Sequence, residues 1–232
     1  MTATMATKRF LLCAPSKWES HPIALRLKLT AAGAGKWNGS QAGHSVSLIQ
    51  TGMGPEKTAA TLAAIPRDEK FDFVLSVGLA GALQPGMNSG DLALDARGID
   101  FDLLPKIREI AANLKLGLHF GRFVHSEIVL ATGAQKAELG DRERASAVDM
   151  ESRPIKQWAE SRGIPAFIAR VVLDARDERI LSELPEGEDF KSLLRYARCN
   201  FTDLPLMIRI GRRQKRAMAN LSRFLEEFLP AL

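Results

Sequence analysis

Apolar positions along the chain follow two alternating patterns. Short, nearly continuous apolar runs predict strands buried on both faces: RFLLCA (residues 9–14), HSVSLIQTG (44–52), FDFVLSVGLAG (71–81) and PAFIARVVLDARD (165–177). Between them, HPIALRLKL (21–29), PEKTAATLAAI (55–65), LLPKIREIAANLKLG (103–117) and SRPIKQWAESRG (152–163) carry apolar residues at helical spacing. Pro55 suits a first helical turn, where its missing N–H costs nothing. DLALDARGIDF (91–101) reads as a further strand and GRFVHSEIVLAT (121–132) as β-rich, whereas the glycines of AAGAGKWNGSQAG (31–43) predict a loop. The remainder after residue 177 reads as helical. Strand–helix alternation predicts a three-layer α/β/α fold around a central mixed, mostly parallel sheet.

Composition narrows this picture. With 232 residues, 46% hydrophobic and 25% charged, the chain is expected to form one globular domain, 1–232, with one main core. Cys13 and Cys199 lie far apart without a C-x-x-C, so neither a disulfide framework nor a metal site is indicated, and a reducing cytoplasm is expected. No apolar run approaches the roughly 20 residues of a membrane span. The opening MTATMATKRFLLCAP lacks the apolar region of a signal peptide and reads as a ragged terminus leading into a strand.

Net charge is +5, and much of the basic excess sits near the end, at Arg195, Arg198, Arg209, Arg212, Arg213, Lys215, Arg216 and Arg223. Leu206, Met207, Ile208, Ile210, Met218, Leu221, Phe224 and Leu225 interleave with these cations. The segment at about 190–232 is therefore a basic amphipathic helix, read as packed on the domain with a solvated face or as a peripheral contact with the inner face of a membrane. It lacks the aromatic interleaving of a single-strand binder, so no nucleic-acid partner is expected.

Candidate chemistry gathers where the predicted strands end, because open α/β sheets bind ligands beyond the carboxyl ends of their strands. GAGK (33–36) lacks the spacing of a phosphate loop. TGMGPEKTAA is a strand end followed by a helix start, readable as a tight turn or as free N–H groups facing an anion or sugar oxygen. SAVDMES (146–152) sets Asp149 and Glu151 around Met150 just before a helix, and acids there suit the helix dipole. Asp174 ends an apolar strand; it is either a capping acid or a desolvated carboxyl whose raised pKa lets it donate a proton near neutrality.

Three of these segments carry a resemblance. SVGLAGALQPGMNSGDLAL (76–94), SAVDMES and IARVVLDARD (168–177) resemble, in order and spacing, the nucleoside phosphorylase/nucleosidase superfamily. That superfamily includes methylthioadenosine/S-adenosylhomocysteine nucleosidase, futalosine hydrolase and purine nucleoside phosphorylases. With TGMGPEKTAA the resemblance covers most of residues 9–178, and DLPLMIRIGRRQKRAMANLSRFL (203–225) is most similar to the hopanoid-associated phosphorylases, a branch implicated in removing adenine from adenosylhopane.

The resemblance implies a nucleoside phosphorylase-like fold and cleavage of a purine N-glycosidic bond, with adenine the expected base. It implies that Glu151 holds the ribose 2′- and 3′-hydroxyls and that Met150 packs on the sugar. It also implies that Asp174 hydrogen-bonds or protonates purine N7, and that Gly78, Ala80 and Gly81 border base and ribose, with Met53 and Gly54 on the other side. These roles suit a transition state with positive charge on the sugar and negative charge on the base.

Aligning residues 121–132 puts Val129 and Leu130 where an aromatic–aliphatic pair meets the purine. His125 is read as structural. In the hydrolytic branches of the superfamily an early Glu activates water, and the resemblance implies that role for Glu19, the one acid in CAPSKWES, which is otherwise an acid at a helix start. Leu79 stands where many members have a phosphate-binding Ser or Thr, which favours hydrolysis over phosphorolysis. Expected partners are a purine nucleoside and, as in other members, further copies of the chain in a dimer or hexamer. No cofactor or metal is implied; inorganic phosphate is co-substrate if the enzyme is a phosphorylase. The alternatives are a non-catalytic nucleoside- or lipid-binding protein of the same fold, a futalosine hydrolase, or a methylthioadenosine/S-adenosylhomocysteine nucleosidase.

Overall fold

In β1 (Arg9–Ala14), alternate side chains enter opposite cores: Phe10, Leu12 and Ala14 join one cluster, Leu11 and Cys13 another. A strand apolar at every position after its first residue, Arg9, needs a cover on each face, and both covers are helical. The computed structural model describes residues 7–95, 97, 102–181 and 201–232. On one side α1 (Lys17–Arg26), α3 (Leu103–Asn113) and the long α6 (Leu204–Phe228) supply Ile23, Ile107, Leu221 and Phe224. On the other, α2 (Pro55–Ala63) and α5 (Ser152–Ser161) supply Leu62 and Ile155. The remaining helix, α4 (Gly133–Glu143), starts on a capping box in which Gln135 N–H donates to Thr132 Oγ1.

The sheet runs β2–β3–β4–β1–β5–β10–β6–β7, with β9 pairing both β5 and β8. Its centre is parallel: β1 lies between β4 (His44–Gln50) and β5 (Phe73–Ala82), and β10 (Ala166–Asp174) follows β5. Strands β6 (Leu92–Asp95) and β9 (Ala147–Asp149) are antiparallel to the strands they flank, and β7 (Leu118–Phe120) and β8 (Phe123–His125) complete the edges. The sheet is thus mixed and mostly parallel, as expected.

Two local readings need correction. Residues 31–43 form a hairpin, β2 (Thr30–Gly33) and β3 (Lys36–Gln41), that extends the sheet antiparallel to β4. Its glycines serve the turn and one close contact, since a Cβ at Gly39 would lie 2.7 Å from a Leu29 methyl; alternation around Trp37 makes β3 a strand between β4 and β2, and β2 forms the edge. Of the β-rich stretch 121–132, only β8 is strand. After it Ser126 Oγ donates to Ile128 O at 2.6 Å and accepts from Ile128 N–H, turning the chain toward α4. The expectations for residues 1–6, 190–200, Cys199, Arg195 and Arg198 lie outside the described residues.

Candidate active site

The carboxyl ends of β1, β4, β5 and β10 share one edge of the sheet, and every candidate acid lies at or just beyond it. Leaving β1, the chain turns into α1, where Glu19 occupies the first turn. One of its oxygens, Oε2, accepts from Ser16 N–H at 3.1 Å and from Ser16 Oγ at 2.5 Å. The other, Oε1, accepts from Leu79 N–H at 2.8 Å, so this acid caps its own helix and reaches across to β5. Gly78 makes that approach feasible: its φ is +146°, and a Cβ there would meet Glu19 Oε1 at 2.4 Å and Arg170 Nη1 at 2.5 Å.

Glu151 arrives from the opposite side. It follows β9, which runs back along β5 from a register of Val148 opposite Gly81. At the start of α2, Gly54 N–H donates to Glu151 Oε1 at 2.9 Å. Gly54 holds φ +90°, which a side chain would resist.

A fully buried arginine, Arg170 of β10, links these acids. Its guanidinium donates to Ser76 Oγ at 2.9 Å and to Val77 O at 3.3 Å. Nε stands 3.0 Å from Asp149 Oδ2 and Nη2 stands 3.9 Å from Glu151 Oε2. The Nε–Oδ2 contact is an ion pair without the alignment of a full hydrogen bond, since neither atom gains a directed partner. Asp149 Oδ1 accepts from the N–H and Oγ of Ser152, so Asp149 secures both Arg170 and the start of α5. Burial opposes the arginine's charge, but Asp149, Glu151 and Glu19 outweigh it and raise its pKa.

Three carboxyls around one cation leave an excess of negative charge that burial penalises. Burial pushes Glu151 up to about 7, against the pull of Arg170 and the Gly54 N–H, with Glu19 adding to the rise. Burial also raises Glu19, while Arg170, Ser16 and Leu79 draw it back. Two adjacent acids whose pKa values burial raises suit general acid–base work.

Asp174 is paired with Gly81 of β5, whereas Arg170 is paired with Gly78. Three residues of strand separate these levels, about 10 Å along β5. Asp174 is buried, and Lys136 Nζ of α4 donates to its Oδ2 at 2.5 Å. Burial raises its pKa, and the Lys136 ammonium counteracts the rise. A Cβ on Gly81 would come within 3.7 Å of Asp174 Oδ2, so backbone and carboxyl face each other closely.

The acids are closed off from solvent: Glu19 is 5%, Glu151 6% and Asp174 2% exposed. A cleft of about 730 Å³ adjoins the Asp174 end, lined by residues 84–88, Gly133, Ala134, Ala137 and Ala175–Asp177 but by none of the three acids. Met150 and Met53 are half-buried at the turns that present Glu151 and Gly54, and Ala80 turns its methyl into a small core cluster. Leu130 packs on Leu83, Ala145 and Val148. Core packing accounts for that side chain.

Comparison with known sequences and structures decides the family. The sequence model described as the phosphorylase superfamily matches residues 34–107 and 93–204. The chain belongs to the phosphorylase superfamily. Within it, the 5′-methylthioadenosine/S-adenosylhomocysteine nucleosidase of Pseudoalteromonas translucida (strain TAC 125) is 32% identical over 117 residues, covering 49% of this chain and 48% of that protein. The chain therefore spans about half the length of this curated relative. The same-named protein of Exiguobacterium sp. (strain ATCC BAA-1283 / AT1b) is 24% identical over 160 residues, 57% of this chain and 69% of that one.

Among solved structures, the Neisseria meningitidis 5′-methylthioadenosine/S-adenosylhomocysteine nucleosidase in complex with methylthio-immucillin-A superposes with TM-score 0.74 at 20% identity, over 97% of this chain and 100% of that one. Native futalosine hydrolase of Helicobacter pylori strain 26695 gives 0.72 at 14% identity, over 97% and 99%. At such identities the likeness is one of fold, and it agrees with the three-layer architecture.

Sequence reasoning missed two residues of this candidate site, Arg170 and Lys136. Arg170 did leave a signal: it is the one charge inside AFIARVVL, where a strand buried on both faces can keep a cation only if acids surround it. Lys136 left none, because a lysine in QKAEL reads as a solvated helix position.

Proposed function

We propose that this protein cleaves the N-glycosidic bond of a purine nucleoside, with adenine as the base and water as the nucleophile. The observation that carries this reading is the alignment of three buried acids along the carboxyl end of β5, Glu19 and Glu151 at the Gly78 level and Asp174 at Gly81. The separation along the strand, about 10 Å, suits a sugar gripped at one end and a base at the other. Glu151 receives the ribose diol, and Met150 packs under the ring. Glu19 takes a proton from water as the water oxygen bonds to C1′. The C1′–N9 bond breaks, and Asp174 gives its proton to N7, so the base departs neutral. Stabilising charge at both ends of the breaking bond is where such sites gain most of their rate.

Water is preferred over phosphate because the Leu79 N–H, a natural anion donor, is already taken by the Glu19 carboxyl. The side chain of Leu79 offers no hydroxyl in compensation. A lipid-linked nucleoside such as adenosylhopane has separate support. The first half of α6 keeps Leu206, Met207, Ile208 and Ile210 out of the core beside Arg209, Arg212 and Lys215, a composition suited to an anionic membrane surface. A homo-oligomer completing the site from neighbouring copies belongs to the same reading.

The test is a nucleoside panel, including methylthioadenosine and adenosylhopane, incubated with and without phosphate, with the sugar product weighed by mass spectrometry. Expected is release of adenine without phosphate and a sugar bearing hydroxyl at C1′. A sugar 1-phosphate formed only with phosphate would replace hydrolysis by phosphorolysis. No base release from any nucleoside would leave the binding-protein reading.

A further inference from the structure

Lys136 is an anomaly on physical grounds. It is 1% exposed, and it sits in the opening turn of α4, where the positive end of the helix dipole repels a cation. Burial of an ammonium group is itself unfavourable, so two penalties coincide at one side chain. A chain keeps such a residue only where its partners outweigh both. Here all three ammonium hydrogens have acceptors: Asp174 Oδ2 at 2.5 Å, Ala175 O at 2.5 Å and Glu178 O at 2.6 Å.

The last two acceptors belong to the loop leaving β10. That loop is fastened independently, by Ala175 N–H donating to Glu178 Oε2 at 3.0 Å and by Arg213 of α6 gripping the Glu178 carboxyl at 2.5 and 2.6 Å. Lys136 is thus fixed against a rigid frame, and its remaining bond fixes the carboxyl of Asp174. With Oδ2 occupied, Oδ1 is the oxygen left to face the substrate.

Resting on the nucleosidase reading above, we propose that Lys136 is the positioning residue of the reaction: it holds Asp174 Oδ2 so that Oδ1 alone presents to the leaving base. Besides Lys136, the charged groups acting on this carboxyl are Glu178 and Arg213. Nothing is transferred to or from Lys136 itself. Its effect is orientation and field, which act most strongly in a dry site. Removing the cation takes away an influence that draws the Asp174 pKa downward. The acid then keeps its proton to higher pH while losing its aim.

The experiment compares wild type, Lys136→Met and Lys136→Arg in two arms. The first is the pH profile of kcat and KM on whichever nucleoside the wild type cleaves. The second is the titration of the Asp174 carboxyl, followed by carbon-13 NMR of aspartate-labelled protein without substrate and assigned with Asp174→Asn. For Lys136→Met we expect kcat to fall about tenfold or more with KM changed much less. Its alkaline limb should move to higher pH, with the carboxyl titration moving the same way. Lys136→Arg should restore the position of the limb and part of kcat. Should Lys136→Met not fold, Lys136→Gln replaces it, keeping a donor without the charge.

Wild-type kcat and an unmoved limb in the Met or Gln variant would overturn the proposal, and so would an unmoved Asp174 titration. Failure of wild type to cleave any nucleoside would instead remove the functional reading. The NMR arm would then still decide whether Lys136 governs Asp174.

Discussion

Glu151 shows what a buried carboxyl of the candidate site costs in stability. Its folded-state pKa, about 7, lies above the ordinary 4.5. Folding therefore favours the protonated form. Below about pH 4.5 both folded and unfolded chains carry the proton and the group is neutral in its effect. As pH rises toward 7, the unfolded chain releases the proton first, and the folded state loses relative stability. The deficit at pH 8 is on the order of 3 kcal/mol, an upper figure, since neighbouring charges adjust. Glu151→Gln keeps an acceptor for the Gly54 N–H and abolishes this penalty. We predict that it raises Tm at pH 8, leaves Tm at pH 4 nearly unchanged and eliminates turnover; thermal scans at the two pH values check the sign. At this scale the sequence spoke unevenly. Glu151 and Asp174 were legible because they stand in motifs at strand ends. The partners that hold them were not, because Arg170 and Lys136 matter through buried charge balance, which has no sequence period.

At the scale of elements, patterning served well where an element had one environment. The four central strands, covered on both faces, are nearly continuous apolar runs, and α2, α3 and α5 are periodic toward one core each. It served poorly for the β2–β3 hairpin, where glycines are read as breakers although an edge strand tolerates them, and for α6, which has two environments. From Ala217 onward α6 buries Met218, Leu221, Phe224, Leu225 and Phe228, with Phe224 and Phe228 stacked at 5.1 Å. Before Ala217 none of its described side chains is buried, and Ile208 is half exposed. One helix thus combines a core segment with a basic, apolar outer one. Leu221→Ala should cost about 2–5 kcal/mol in denaturant unfolding, as cavities of this size do. Ile208→Ser together with Arg212→Ser should change stability by less than about 1 kcal/mol but reduce co-sedimentation with vesicles rich in anionic lipid. Equal vesicle binding by both proteins would remove the membrane role of this segment. Among the described residues no helix is long and apolar enough to cross a bilayer.

For the molecule as a whole, the sheet explains why these distant residues meet. Acids separated by well over a hundred positions in sequence converge because β1, β5 and β10 are parallel neighbours and their carboxyl ends share one edge. The return of β9 along β5 adds Glu151, and α4 adds Lys136. That convergence rests on topology, which the order of strands and helices announced; the closed state of the acids rests on packing, which it did not. On the proposed reading, a single site grips the ribose diol through Glu151 and the base through Asp174. A crystal structure with a non-cleavable adenosine analogue tests it most directly. The account predicts Glu151 within hydrogen-bond distance of O2′ and O3′ and Asp174 Oδ1 within the same distance of N7, with Lys136 still on Oδ2. An analogue bound away from either acid, or touching one and leaving the other enclosed, would contradict it.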